Sequence, residues 1–368
     1  MSLCLVLVPN HPAFYPHVAR HASALRTLFD RVVVVAVFAL GDELPKLDGV
    51  EFVCGATSFP AGVRGFFQWM KSIHALVRMY KADAVEAIDP PCLIPAALAL
   101  RGRNTSLVYF SMEIFSQTPA LAKRPLRRTI WSMLERLAVR RASRVLTVNE
   151  SVAKVLEHQL HQSRVGVVRS VSPRQNHVVR SGILRQQLGL NADDFLLVYQ
   201  GHLEPGRGLE PVIEFMHKRP HMHFVILGFG PLQTWCEEQA KLFGNVHYAG
   251  AHPFPQLMAL AADADAGLVW IAPLSESYRL SLPGKVFEYT QNGLPILGSS
   301  LPEISRVIQE YTLGEVSSDW SETAFLQSLD ALQVGISQGK YRLGLERAKQ
   351  ELCWEVEQNS LLAAFGED

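Results

Sequence analysis

The chain has 368 residues, 48% of them apolar and 19% charged, which is enough to build the cores of two ordinary domains and excludes disordered and fibrous classes. Formal net charge is zero, yet residues 1–185 carry 24 Lys/Arg against 12 Asp/Glu and residues 186–368 carry 11 against 23, so the halves stand at +12 and −12 and are expected to meet different partners. Five dispersed cysteines (Cys4, Cys54, Cys92, Cys236, Cys353) show neither disulfide framework nor metal-ligand spacing, which points to a reducing, cytoplasmic setting.

From the amino terminus, Leu3–Val8 lacks a basic leader and reads as a buried first strand rather than a signal peptide. The following loop, Pro9–Tyr15, sits at that strand's carboxyl end, so His11 and Tyr15 are expected to line a cleft. His17–Leu28 is amphipathic; His17 and His21 lie one turn apart on it and, without a third ligand, read as a core or surface pair. Strands are expected at Arg31–Phe38, Val50–Cys54, Ala84–Ala87, Ser106–Phe110, Arg144–Thr147 and Val165–Val168, and helices between them argue for a parallel sheet. The helical pattern Phe66–Tyr80 sets Phe66, Met70, Ile73, Val77 and Tyr80 on one stripe, with Arg64, Lys71 and Arg78 opposite. Lys123–Arg144 holds eight basic residues and one acid, Glu135; Arg124, Arg128, Arg136 and Arg140 form a stripe, with Ile130, Leu134 and Leu137 facing the other way. Such helices suit an anionic membrane surface with Trp69 and Trp131 as anchors, or are ordinary domain helices with solvated basic faces. No apolar run of about 18 residues is present to span a bilayer.

Ser170–Gly182 is polar and aperiodic, a linker. The strand–helix alternation then restarts with Phe195–Tyr199, Met222–Leu227, Val246–Tyr248, Ala266–Trp270 and Pro295–Leu297, and Gly339–Phe365 reads as one long helix. The expected organisation is two domains, 1–175 and 183–355, with a terminal helix at about 356–368 packing back on the first.

Chemistry concentrates in the second half. Arg207 follows Gly206 at the start of a helical pattern, where a guanidinium can grip two phosphate oxygens beside the helix's positive end. Lys285 opens another helix after Pro283-Gly284, a loop that admits close backbone approach, and Glu288 lies one turn on, placed to accept hydrogen bonds from two ribose hydroxyls. As a bare pattern, Lys285 and Glu288 also fit a surface ion pair. Gly228, Gly230 and Gly293 read as turn formers, and Pro295 as the opening of a strand.

Three segments carry a resemblance: Val198-Tyr199-Gln200-Gly201-His202-Leu203-Glu204-Pro205-Gly206-Arg207-Gly208; Ile226-Leu227-Gly228-Phe229-Gly230-Pro231; and Ser281-Leu282-Pro283-Gly284-Lys285-Val286-Phe287-Glu288-Tyr289, continuing to Gly293-Leu294-Pro295. Together they resemble the retaining glycosyltransferases of family 4, in a Ser-x-Pro-x-Lys-x-x-Glu-Tyr branch. The resemblance implies a GT-B fold: α/β, with two Rossmann-like domains whose parallel sheets face a central cleft. It implies donor binding by Gly201, His202, Arg207, Ser281, Leu282, Pro283, Gly284, Lys285 and Glu288, with Arg207 and Lys285 on the diphosphate and Glu288 on the ribose. Catalytic roles fall to Arg207, Lys285 and, on the acceptor side, Glu113, whose segment Ser111-Met112-Glu113 echoes a family motif.

Departures are local. Leu280 stands where the family has the first glutamate of its donor motif, Met112 where many relatives have histidine, and His202 where arginine is usual. The implied reaction moves a sugar, with retention, from a nucleoside-diphosphate donor (UDP by family frequency) to a hydroxyl of a glycan or lipid-linked acceptor in envelope polysaccharide or lipopolysaccharide assembly. No convincing Asp-x-Asp pair is present, so no obligatory divalent metal and no other cofactor are expected. Rival readings are a nucleotide-sugar epimerase of the same fold and a non-catalytic nucleotide-sugar-binding scaffold. No nucleic-acid recognition module is visible, and no Gly-x-Gly-x-x-Gly follows the first strand as a dehydrogenase would require.

Overall fold

Strands buried on both faces must be covered by helices, and the long Val/Ile/Leu runs of this chain are covered in that way. The computed structural model describes residues 1–12, 16–39, 41–57 and 62–366. These form two units: unit 1 from the described residues of Met1–Ser170, Ser275–Ser277 and Glu357–Asp368, and unit 2 from Val171–Leu274 and Tyr278–Val356.

Unit 1 holds β1 (Leu3–Leu7), β2 (Arg31–Val37), β3 (Val50–Ala56), β4 (Ala84–Ile88), β5 (Ser106–Ser111), β6 (Arg144–Thr147) and β7 (Gly166–Val167), in the order β3-β2-β1-β4-β5-β6-β7. Unit 2 holds β8 (Phe195–His202), β9 (Met222–Phe229), β10 (Val246–Gly250), β11 (Ala266–Val269), β12 (Ile296–Gly298) and β13 (Gly314–Val316), in the order β10-β9-β8-β11-β12-β13. Every pairing is parallel. Each sheet therefore reverses strand order once, at β1/β4 and at β8/β11, where the crossovers diverge and leave a crevice at the carboxyl ends. The cores are the strands themselves: Leu5, Val33, Val85, Leu107, Leu197, Val225 and Leu268 have no exposed surface.

Three expectations require correction. The carboxyl tail is two helices, Arg342–Glu351 and Trp354–Ala363, not one. Gln291 Nε2 binds the carbonyls of Lys349 and Leu352 at 3.2 Å, Arg174 binds that of Gln350 at 3.1 Å, and the N–H of Trp354 turns to Ser172 O at 3.0 Å. Side chains thus take up the final carbonyls, ending the helix where its amphipathic pattern alone would continue. Neither tryptophan is an exposed anchor. Trp69 is 1% exposed and its Nε1 donates to Pro91 O at 3.0 Å, while Trp131 packs edge-on between Phe66 and Phe115. Helix Gly62–Tyr80, with Ile73 and Val77 buried, is an ordinary domain helix.

His17 and His21 are both buried, their rings 5.8 Å apart, and His21 Nδ1 lies 2.7 Å from Glu86 Oε1. A second buried acid is Glu135, which receives the Tyr109 hydroxyl at 2.6 Å. Burial pushes the Glu135 carboxyl up to about 7, against the opposing pull of the Tyr109 hydrogen bond. Its folded pKa thus exceeds its unfolded value, so the folded protein holds an extra proton between about pH 4.5 and 7. This contribution is full below about pH 4.5 and is lost as pH rises through 7. In Glu135→Gln, stability measured by denaturant melts at pH 5 and pH 8 should differ less than in wild type, by on the order of 3 kcal/mol. An unchanged difference excludes Glu135 as the source.

Candidate active site

The carboxyl end of β8 is shaped by glycines. Gly201 faces Gly228 across the β8/β9 ladder, and a Cβ on Gly228 (φ 153°) would meet the Gly201 carbonyl oxygen at 1.9 Å. A side chain there requires the strand ends to separate, so the turn role read from sequence rests on close backbone approach as well as on dihedral freedom.

Beside these strand ends stands the start of helix Lys285–Asn292. Tyr289 fixes it. Its hydroxyl donates to Val198 O at 3.1 Å and accepts the Gln200 N–H at 3.0 Å, while its ring lies where a Cβ on Gly267 would be. Helix, β8 and β11 are thereby locked in one register. Gly284 caps the helix without a side chain, and the N–H groups of Gly284 and Lys285 make no hydrogen bond with described residues. Two free donors at the positive end of a helix suit an anion.

Lys285 Nζ lies 3.7 Å from the centroid of Tyr199 and packs toward Gly201, with no ion pair to any described residue. Burial, and next the proximity of Arg207, pull the amine down to about 7, a shift that Glu288 and Glu204 partly offset. Two cations held together with little solvent are mutually unfavourable until an anion joins them. Glu288, half-buried one turn along, accepts a hydrogen bond from Gln200 Nε2. The Lys285–Glu288 surface ion pair that sequence spacing allows is thus not what forms: Lys285 meets an aromatic face and Glu288 meets an amide.

Arg207 shows what the sequence did not reveal. Its Nε and Nη2 lie 2.9 and 2.7 Å from Glu204 Oε1, and its guanidinium stacks 4.8 Å from the centroid of Tyr278, whose hydroxyl also donates to Glu204 at 3.0 Å. Burial alone would raise the Glu204 carboxyl, but Arg207 outweighs it and holds the group below the usual range. Glu204 and Tyr278 orient Arg207; the three-residue spacing of Glu204 and Arg207 was the available signal. His202 is exposed, its ring edge-on to Phe229. The Ser281 hydroxyl donates to Tyr278 O at 2.8 Å, and Leu282 is buried. Leu280, at the family's glutamate position, is a core residue.

The other sequence-chosen residues lie in unit 1. Glu113 follows β5 and accepts the Ser277 hydroxyl at 3.0 Å. Next to it is Asp89, which opens a helix straight after β4 in the left-handed region (φ 58°) and accepts the Met112 N–H at 2.9 Å. Burial first, and Glu113 second, push the Asp89 carboxyl well above the carboxylate range. An acid at a strand end before Pro90-Pro91 was a legible signal for it. His11 lies 3.2 Å from Asp42. Tyr15 lies outside the described residues.

Residues 16–170, which lie within unit 1, match the family model for Glycosyltransferase Family 4. No curated protein matches in sequence. Among solved structures, sucrose-phosphate synthase from Thermosynechococcus elongatus is similar at 13% identity and TM-score 0.81, covering 99% of this chain and 98% of that one. Anabaena HepE in complex with UDP-glucose is similar at 15% identity and TM-score 0.74, covering 98% and 99%. WaaG, a glycosyltransferase involved in lipopolysaccharide biosynthesis, is similar at 16% identity and TM-score 0.68, covering 98% of each. The two reversing parallel sheets are the GT-B fold of these structures, and together with the family 4 match over residues 16–170 they support a glycosyltransferase.

Proposed function

We propose that this chain is a glycosyltransferase that takes a sugar from a UDP-linked donor and transfers it, with retention, to a hydroxyl of a glycan or lipid-linked acceptor in envelope polysaccharide or lipopolysaccharide assembly, at the inner face of the cytoplasmic membrane. One observation carries the donor half: a half-buried Lys285 with no ion pair to a described residue, beside helix-start N–H groups that no described residue accepts from, with Glu288 one turn on, at the β8 strand end. The likeness to HepE bound to UDP-glucose supports the choice of nucleotide, and the likeness to WaaG supports the acceptor class.

In this reading Lys285, Arg207 and the N–H groups of Gly284 and Lys285 receive the diphosphate, and Glu288 accepts the ribose hydroxyl protons. As the glycosidic bond breaks, negative charge grows on the leaving diphosphate, and these donors stabilise it. The acceptor hydroxyl attacks the same face through an oxocarbenium-like transition state, so no protein nucleophile is needed. Glu113 and His11 belong to the acceptor side, with Tyr15 retained from the sequence alone. Gly201, His202, Ser281, Leu282 and Pro283 shape the donor pocket, and with Leu280 apolar the sugar is held through backbone and Ser281. No divalent metal or other cofactor has a role in this scheme.

A thermal-shift panel of nucleotides and nucleotide sugars tests it. UDP and UDP-sugars should raise the melting temperature in a concentration-dependent way, through about 2.7 kcal/mol of added stability at a hundred times Kd. Stabilisation by none contradicts the reading. Conversion of the nucleotide sugar without acceptor favours an epimerase.

A further inference from the structure

We infer that the solvent face of helix Pro125–Val139 in unit 1 is a docking surface for an anionic phospholipid bilayer. This deepens the membrane contact proposed above by naming the element that makes it, and it is independent of the donor site. Leu126, Ile130, Met133 and Leu137 follow spacings of four, three and four and so share one face of the helix. All four are open to solvent, at 75%, 44%, 54% and 52% exposure. A domain helix normally turns such a stripe inward, as Gly62–Tyr80 does with Ile73 and Val77. Here the inward face is supplied by Glu135 and Val139, leaving four large apolar side chains outside.

What covers that stripe is indicated by charge. Lys123, Arg124, Arg127 and Arg128 are exposed at the amino end of the helix and Arg140 at its carboxyl end, and none is paired with a carboxylate among the described residues. Glu135 is the one acid between Lys123 and Arg144, and it is fully buried against Tyr109. Unneutralised cations flanking an apolar ridge complement a lipid surface with anionic headgroups above an acyl layer. A partner protein would need an acidic rim around an apolar groove. The bilayer is favoured because exposed cations stand at both ends of the helix and the apolar stripe runs along it between Arg124 and Arg140. No helix among the described residues is long and apolar enough to cross a membrane, so this contact is interfacial.

Co-sedimentation with vesicles of equal parts phosphatidylcholine and phosphatidylglycerol tests the inference, using wild type, Ile130→Ser/Met133→Ser and Arg127→Gln/Arg128→Gln. Wild type should bind these vesicles, bind phosphatidylcholine alone weakly, and be released by high salt. Each double variant should bind at least about tenfold less. The substituted residues are exposed, so melting curves should stay close to wild type, and the response to UDP should be unchanged in all three proteins. Absence of vesicle binding, or binding that both variants retain, overturns the inference. So does a wild-type dimer that Ile130→Ser/Met133→Ser converts to monomer without vesicle binding, which would make the stripe a protein interface. Loss of the UDP response in wild type would contradict the donor site and leave the membrane result standing.

Discussion

Glu288→Gln should weaken UDP binding by about a hundredfold or more, measured by titration calorimetry, while leaving the melting curve of the free protein close to wild type. The magnitude follows from charge-assisted hydrogen bonds: a carboxylate accepting two ribose hydroxyl protons loses roughly 1.5–3 kcal/mol for each when it becomes a neutral amide. Glutamine keeps the length and the contact with Gln200, so the substitution removes charge rather than shape. If Glu288 serves only as the partner of Gln200, UDP affinity will not move, and the ribose role is then wrong.

Lys285→Met should produce opposite effects on stability and binding. The folded amine sits at about 7 because burial and Arg207 disfavour its charge, whereas the unfolded lysine titrates near 10.4. Below about pH 7 the charge is retained in an unfavourable place; between about 7 and 10.4 the unfolded chain binds the extra proton, so this group makes stability rise with pH. Replacing it with methionine should stabilise the free protein at pH 6 by up to about 4 kcal/mol, less the lost contact with the Tyr199 ring, and the gain should shrink toward pH 9. The same variant should lose UDP-induced stabilisation. In wild type, an arriving diphosphate favours the ammonium form, so binding above pH 7 takes up a proton and affinity falls as pH rises. Calorimetry in buffers of different ionisation enthalpy reads that uptake directly. A variant less stable than wild type at pH 6 would mean that Lys285 is a structural cation, and unchanged UDP affinity would remove it from the donor site. A gain in stability at the cost of ligand binding is the signature of a residue kept for function.

The sequence showed the fold wherever burial on both faces leaves continuous apolar runs. Twelve strands were legible, most of them for that reason although β3, β7 and β10 are only partly buried, with ends displaced by a few residues where Gly201, Gly228 and Gly250 extend the ladders. Strand β13 was not legible: it is three half-buried residues, Gly314–Val316, with no apolar run to mark it. The split of the final helix was hidden because its causes, Gln291 and Arg174, are distant in sequence. Arg207, Lys285 and Glu288 were singled out by loop–helix spacing as candidates. Their environment was not legible, since the stacking of Lys285 on Tyr199 and the clamp of Glu204 and Tyr278 on Arg207 depend on tertiary packing. Periodicity correctly marked helix Pro125–Val139 as amphipathic but did not reveal which face looks out. Asp89 was missed because its significance lies in a backbone conformation and in neighbouring carboxylates, neither of which a strand-end aspartate announces.

The central claim is that unit 2 holds a nucleotide at the β8 strand end and the start of helix Lys285–Asn292. Crystals of the protein soaked in UDP test it most directly. Density is expected with the ribose hydroxyls on Glu288 and the diphosphate between Lys285, Arg207 and the N–H groups of Gly284 and Lys285. Nucleotide density elsewhere in the protein, or a ribose turned away from Glu288, would contradict it.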